Sequence, residues 1–162
     1  VTILRDVADR GRVVKKSAGA TMIDLGDGIA CIEFHSKMNA IGGDTIAMLN
    51  AGAKALEDGE FAGLVIGNQG ENFCVGANLM LLLLEAQEGN WDDVNLMIRA
   101  FQNVNIRLKT APGPVVVAPF GMALGGGCEI TLHGARVRAA AETYLGLVEF
   151  GVGLIPAGGG TK

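Results

Sequence analysis

The chain has 162 residues, 49% of them hydrophobic and 19% charged, with a mean hydropathy of +0.36; this fits one core-rich domain and leaves little for disorder. Its net charge of -4 and pI near 5.1, with no basic run, argue against a general nucleic-acid or anionic-membrane binder. No stretch approaches the roughly 18 uninterrupted apolar residues of a membrane span, and the N-terminus lacks the apolar segment of a secretory leader.

Residues 1–19 are charged and irregular, and Val1 is not a natural initiator, so this stretch is expected to be a linker from a preceding domain of a longer polypeptide. Ala20 to Leu25 and Ile29 to Phe34 are short apolar runs around Gly26-Asp27-Gly28, a hairpin signal. After the loop His35 to Gly43, Asp44 can cap a helix in which Ile46, Leu49, Ala53 and Leu56 recur at helical spacing. Leu64 to Ile66 is a buried strand, the loop Gly67 to Gly76 follows, and Ala77 to about Gln87 is helical with Leu81 to Leu84 as its core side. Asn90 precedes a second helix with Val94, Met97, Ile98, Phe101 and Leu108 on one face, ended by Ala111-Pro112-Gly113-Pro114. Val115 to Ala118 is the next strand, Gly121 to Gly127 the next glycine-rich loop, and Cys128 to His133 a short helix. Thr143 to Gly146 forms a strand before a loop at 150–160. Strands alternating with helices across glycine loops predict a layered α/β fold.

The 25 glycines are over twice the usual share of about 7%, and they cluster where chemistry can be built. Gly121-Met122-Ala123-Leu124-Gly125-Gly126-Gly127-Cys128-Glu129 lies between a strand and a helix start. Glycine permits close backbone approach there, so N–H groups can face an oxygen carrying negative charge, with the helix dipole adding to them. It is equally a tight strand-to-helix turn with Glu129 early in its helix because acids are favoured there. Glu71 to Asn78 occupies the same kind of position and can supply a second N–H donor. In Leu147 to Thr161, Glu149 sits in an otherwise apolar stretch, where a carboxylate must be solvated, paired or functional.

Together these three segments resemble the crotonase superfamily, also called the enoyl-CoA hydratase/isomerase family, over roughly residues 20–162. Glu129 and Glu149, 20 residues apart, have the spacing of the two catalytic glutamates of its hydratases. The loop His35 to Ile41 is similar to the family's early CoA-contacting loop. Within the family the stretch is most similar to the hydratase domain of bacterial 3-hydroxyacyl-CoA dehydrogenase fusions. The resemblance implies a crotonase-type spiral of β-β-α units. It implies an oxyanion hole from the N–H groups of Ala77 and Gly126, and CoA contacts at Ser36, Lys37, Asn39, Ala40, Asn78, Leu79 and Met80. It further implies Glu129 as base on water and Glu149 as acid, in a hydratase acting on an acyl-CoA substrate in β-oxidation. No cofactor is expected in this domain, NAD belonging to a dehydrogenase part outside it. Double-bond isomerisation and a non-catalytic acyl-CoA-binding module are the alternatives. Asn78 stands where many relatives have Asp, and Val148 where many have Pro. The family's C-terminal helices are absent, so truncation and a lost or altered trimer are expected.

The remaining candidates have simpler explanations. Cys31, Cys74 and Cys128 lie far apart with no Cys-x-x-Cys, so neither a disulfide framework nor structural zinc is indicated, and a reducing, cytoplasmic compartment is expected. Cys74 and Cys128 are explained as small buried hydrophobes. His133, one turn after Glu129, has no third partner spaced for a metal, and no metal site is expected. His35 is expected to be a loop residue. Gly158 to Lys162 has Thr before Lys, against the order of a phosphate loop.

Overall fold

The computed structural model describes residues 3–161; Val1, Thr2 and Lys162, at the ends of the two spans drawn from sequence, lie outside the described residues. The hairpin forms as expected, with β2 (Ala20–Gly26) antiparallel to β3 (Ile29–Phe34). Asp27 and Gly28, both at positive φ, turn the chain between them. The irregular reading of the first 19 residues is corrected. Leu4–Asp9 is a helix, α1, and Val13–Lys16 is an edge strand, β1, antiparallel to β2. Its side chains are all exposed, so it carries no apolar alternation by which the sequence could have revealed it.

Beyond the hairpin the chain winds as a stack of repeating turns. α2 (Gly43–Glu57) leads to β4 (Gly63–Ile66), which lies parallel to β3. The helices α3 (Leu79–Gln87) and α4 (Trp91–Lys109) lead to β5 (Val115–Val117), parallel to β4. The short strand β6 (Met122–Leu124) and α5 (Gly126–Leu132) lead to β7 (Arg136–Val137), parallel to β5. The main sheet therefore runs β1-β2-β3-β4-β5-β7. Each turn also places a second segment in a smaller layer. β6 pairs in parallel with β8 (Tyr144–Gly146), and single bridges join Ile41 to Ala77 and Cys74 to Ala123. A strand in the main sheet and a strand or single bridge in the smaller layer, turn after turn, is the spiral of β-β-α units expected from the sequence.

Register explains the core. Ala30, Leu64 and Val115 stand side by side across three strands, as do Ile32, Ile66 and Val117, and all six are buried. Because the parallel part of the sheet is covered, its strands read as continuous aliphatic runs. Against this face pack Met48, Leu49, Ala53 and Leu56 of α2 with Phe101, Val104 and Leu108 of α4. Arg107 on α4 ties the two helices together at the surface, its Nε and Nη2 donating to the Glu57 carboxylate at 2.7 and 2.6 Å.

Two details of the helices differ from expectation. Asp44 does not cap α2: Gly42 holds that position, and the Asp44 carboxylate accepts the Gly19 N–H at 3.1 Å. Leu81 to Leu84 are not a core side, since no residue of α3 is buried and Leu81, Leu83 and Leu84 are exposed. A helix apolar all round gives no stripe from which to choose a face. Ile66, wholly buried at the centre of the sheet, measures the core's contribution: Ile66→Ala is expected to cost about 2–5 kcal/mol, visible as a lower urea midpoint at unchanged slope.

Candidate active site

The turn from β6 into α5 begins the site. Gly125 has φ 52 and ψ -117, a conformation that favours glycine, and its N–H donates to the Gly146 carbonyl at the end of β8. Gly126 then opens α5, where the first N–H groups have no acceptor within the helix. Facing this turn is the segment after Phe73. Cys74 pairs with β6 through Cys74 N–H to Met122 O at 3.1 Å and Leu124 N–H to Cys74 O at 2.9 Å. The two backbones meet closely: a Cβ on Gly127 would stand 2.5 Å from the Cys74 carbonyl oxygen, and one on Gly76 would lie 3.3 Å from the Leu124 carbonyl oxygen and 3.7 Å from the Gly126 nitrogen.

Ala77 follows Gly76 directly. Ile41 donates to Gly76 O at 2.9 Å and accepts from the Asn78 N–H at 3.0 Å. Because N–H groups alternate along an extended strand, the Ala77 N–H is left on the side away from Ile41. Ile41 also reaches Gly126, where a Cβ would stand 2.7 Å from its Cδ1. The two backbone groups singled out in sequence thus belong to adjoining segments joined by Ile41.

The two glutamates arrive from different turns of the spiral. Glu129, in the first turn of α5, is 2% exposed, and its Oε1 accepts the Gly160 N–H at 2.9 Å. Burial pushes its carboxyl above the usual glutamate value, and the Glu149 charge adds to this, while N–H groups of Gly160 and Gly158 and the nearby His133 act in the opposite sense. Glu149 opens a 3-10 turn, Glu149–Val152, just after β8. Its Oε1 overlies Gly125, 3.1 Å from where a Cβ would be, and its Oε2 is buried without a hydrogen-bond partner among the described residues.

The loop candidates border a cleft of about 500 Å³, lined by Ser36, Lys37, Ala40 and Asn78 together with Gly19 and Asp44. Ser36 Oγ donates to Ala40 O at 2.7 Å, closing that loop. Asn39 has φ 53 and donates from Nδ2 to Asn72 O at 3.0 Å. Asn39, Leu79 and Met80 do not line the cleft; Leu79 and Met80 are exposed on the first turn of α3. Cys74 and Cys128 are buried thiols, pushed up by burial to about 12 and about 11, which suits packing and not nucleophilic attack. His133 places Nδ1 2.7 Å from the Glu129 backbone oxygen. It stands at the C-terminal end of α5 with its ring buried. Among the described residues no cluster of three metal-ligating side chains occurs. No described helix is long and apolar enough to cross a membrane.

Gln102 and Asn105 on α4 were not singled out in sequence, yet both bond the segment that reaches Glu129. The signal was present in Asn105, a polar residue on the same helix face as Phe101 and Leu108.

These features define a two-carboxylate site walled by glycine backbone on a layered α/β spiral. The chain belongs to the enoyl-CoA hydratase/isomerase family, whose model matches residues 28–162. It is 56% identical over 150 residues to a Bacillus subtilis protein named "Probable 3-hydroxyacyl-CoA dehydrogenase", covering 93% of this chain and 19% of that one. Among solved structures it resembles an enoyl-CoA hydratase from Bacillus anthracis, with a TM-score of 0.76, 26% identity, and coverage of 89% of this chain and 56% of that one. An enoyl-CoA hydratase structure from Geobacillus kaustophilus shares the fold at a TM-score of 0.81 and 20% identity, over 91% of this chain and 56% of that one. The chain therefore spans about a fifth of the first relative and just over half of the solved structures.

Two consequences are measurable. Gly127→Ala gains helix propensity but presses its methyl on the Cys74 backbone, so a net loss of about 1–3 kcal/mol is expected, read as a lower melting temperature. The raised Glu129 carboxyl means that the folded chain keeps this proton to higher pH than the unfolded chain. Its contribution to stability is full below the ordinary value of 4.5 and falls as pH rises through the window between that value and the raised one. Glu129→Gln lacks this fall. Thermal melts across a pH series should show the variant gaining on the wild type within that window and a constant difference above it; a difference flat throughout contradicts the assignment.

Proposed function

We propose that this chain is the thioester-binding and acid-base core of an enoyl-CoA hydratase, which adds water to 2-enoyl-CoA to give 3-hydroxyacyl-CoA in fatty-acid β-oxidation. It acts within a larger, cytoplasmic 3-hydroxyacyl-CoA dehydrogenase. The observation that carries the reading is the convergence of two carboxylates on one glycine-walled turn, one buried and oriented by backbone N–H, the other with a buried oxygen left unpartnered. A buried unpaired carboxylate oxygen is costly, and the proton that Glu149 carries for delivery to the substrate accounts for it.

The thioester oxygen accepts from the N–H groups of Ala77 and Gly126, which stabilise the negative charge that develops there when water attacks; one such donor is typically worth about 2.7–4 kcal/mol of barrier. Glu129 takes a proton as the water oxygen bonds to the β-carbon. A carboxylate with a raised pKa is the stronger base, and its N–H partners aim it. Glu149 delivers a proton to the α-carbon, so that H and OH add across the double bond and the charge of the pair is unchanged. Because the two acids interact, they titrate as a pair. The CoA moiety follows Ser36, Lys37, Asn39, Ala40, Asn78, Leu79 and Met80, and the cleft beside the first of these supports that path. No cofactor is needed for this step, NAD being used by the dehydrogenase part.

In the full-length protein, a short 2-enoyl-CoA is expected to lose its enoyl-thioester absorbance and gain the mass of one water, and Glu149→Gln to remove nearly all of this. Unchanged turnover in the variant sinks the reading, and a product of unchanged mass assigns isomerisation instead.

A further inference from the structure

The Glu129 carboxylate is aimed by a turn that has no regular structure of its own, and α4 holds that turn. Asn105 is wholly buried and donates from Nδ2 to the Gly158 carbonyl at 2.8 Å. Gln102, one helical turn earlier, donates from Nε2 to the Ala157 carbonyl at 2.7 Å. Asn105 Oδ1 has no partner among the described residues. A half-satisfied amide in a core is unfavourable beside an apolar residue of the same shape, so the core itself gives no reason for an amide at this place. Its bond to Gly158 does.

The segment so held touches Glu129 at two of its residues and the neighbouring His133 at a third. Gly158 is wedged between the Phe101 ring and Glu129 Oε2 with no space for a Cβ. Gly159, at φ 127, lies on the His133 ring, with a Cβ position 2.8 Å from Cε1. Gly160 donates its N–H to Glu129 Oε1. We infer that Gln102 and Asn105 are positioning residues, which clamp the 157–160 segment so that its N–H groups orient the Glu129 carboxylate for proton transfer. The inference rests on the reading of Glu129 as the base.

The clamp has a signature that a merely structural residue lacks. N–H donors favour the ionised carboxylate, so loosening them moves Glu129 further up. The other titratable groups facing it, Glu149 from the turn after β8, Cys128 on α5 and His133 just past its end, are not touched by the substitution. In the full-length protein, Asn105→Leu keeps the shape and removes the donor. Its kcat for hydration is expected to fall on the order of 10- to 100-fold, the loss typical of a slightly misplaced catalytic group, with KM little changed and the acid limb of the pH profile moved to higher pH. Full activity, or reduced activity with an unmoved acid limb, overturns the clamp. If Asn105→Leu does not fold, Gln102→Leu, at a half-buried position, is read in the same way. Should the wild type not hydrate enoyl-CoA at all, the proposed function fails separately. The clamp is then tested by the infrared band of the protonated Glu129 carboxyl, identified by its loss in Glu129→Gln. The band should persist to higher pH in Asn105→Leu, and equal persistence in both proteins refutes the inference.

Discussion

The site depends on one close approach of main chain to main chain. The turn into α5 and the segment from Cys74 to Gly76 touch where side chains would stand, the Cys74 carbonyl oxygen lying 2.5 Å from where a Cβ on Gly127 would be. This contact brings the Ala77 and Gly126 backbone together and fixes where α5 starts, and hence where Glu129 lies. Glycine can form such a contact because it lacks a Cβ, and the loss of backbone entropy on ordering it is the accompanying cost. The rigid parts around it, the parallel sheet and the α2–α4 layer, hold the two segments at that distance.

The placing of the two glutamates beside glycine-rich turns was legible in sequence because it is local. Glycine runs beside single acids, each after an aliphatic strand, mark strand-to-helix turns, and the 20-residue separation of Glu129 and Glu149 relates two of them. The hairpin was legible for the same reason, its turn signal being three residues long. Local pattern does not show which distant backbone meets which turn. The link through Ile41, the alignment of β4 with β5, and the hold of α4 on the 157–160 segment join residues tens of positions apart.

The misreadings share a physical cause. β1 has no buried side, so its pairing is carried by backbone groups alone, about which the side-chain pattern is silent. In α3 the four consecutive leucines satisfy any orientation, and the helix contacts mainly α4. Asp44 has the right chemistry for a cap, but it lies within the first turn of α2, and its carboxylate serves Gly19 across the cleft rim. In each case the residue type was informative, and its partner was set by tertiary contact.

The glycine walls also divide the site into two parts that respond differently to substitution. The groups expected to polarise the thioester are peptide N–H groups, and a point substitution at Ala77 or Gly126 can displace such a group but not delete it, short of proline. The acids are single side chains, each removable by one codon change while the main-chain part stays in place. On the proposed function, a fold built this way is able to keep its grip on an acyl thioester while the reaction performed on it drifts.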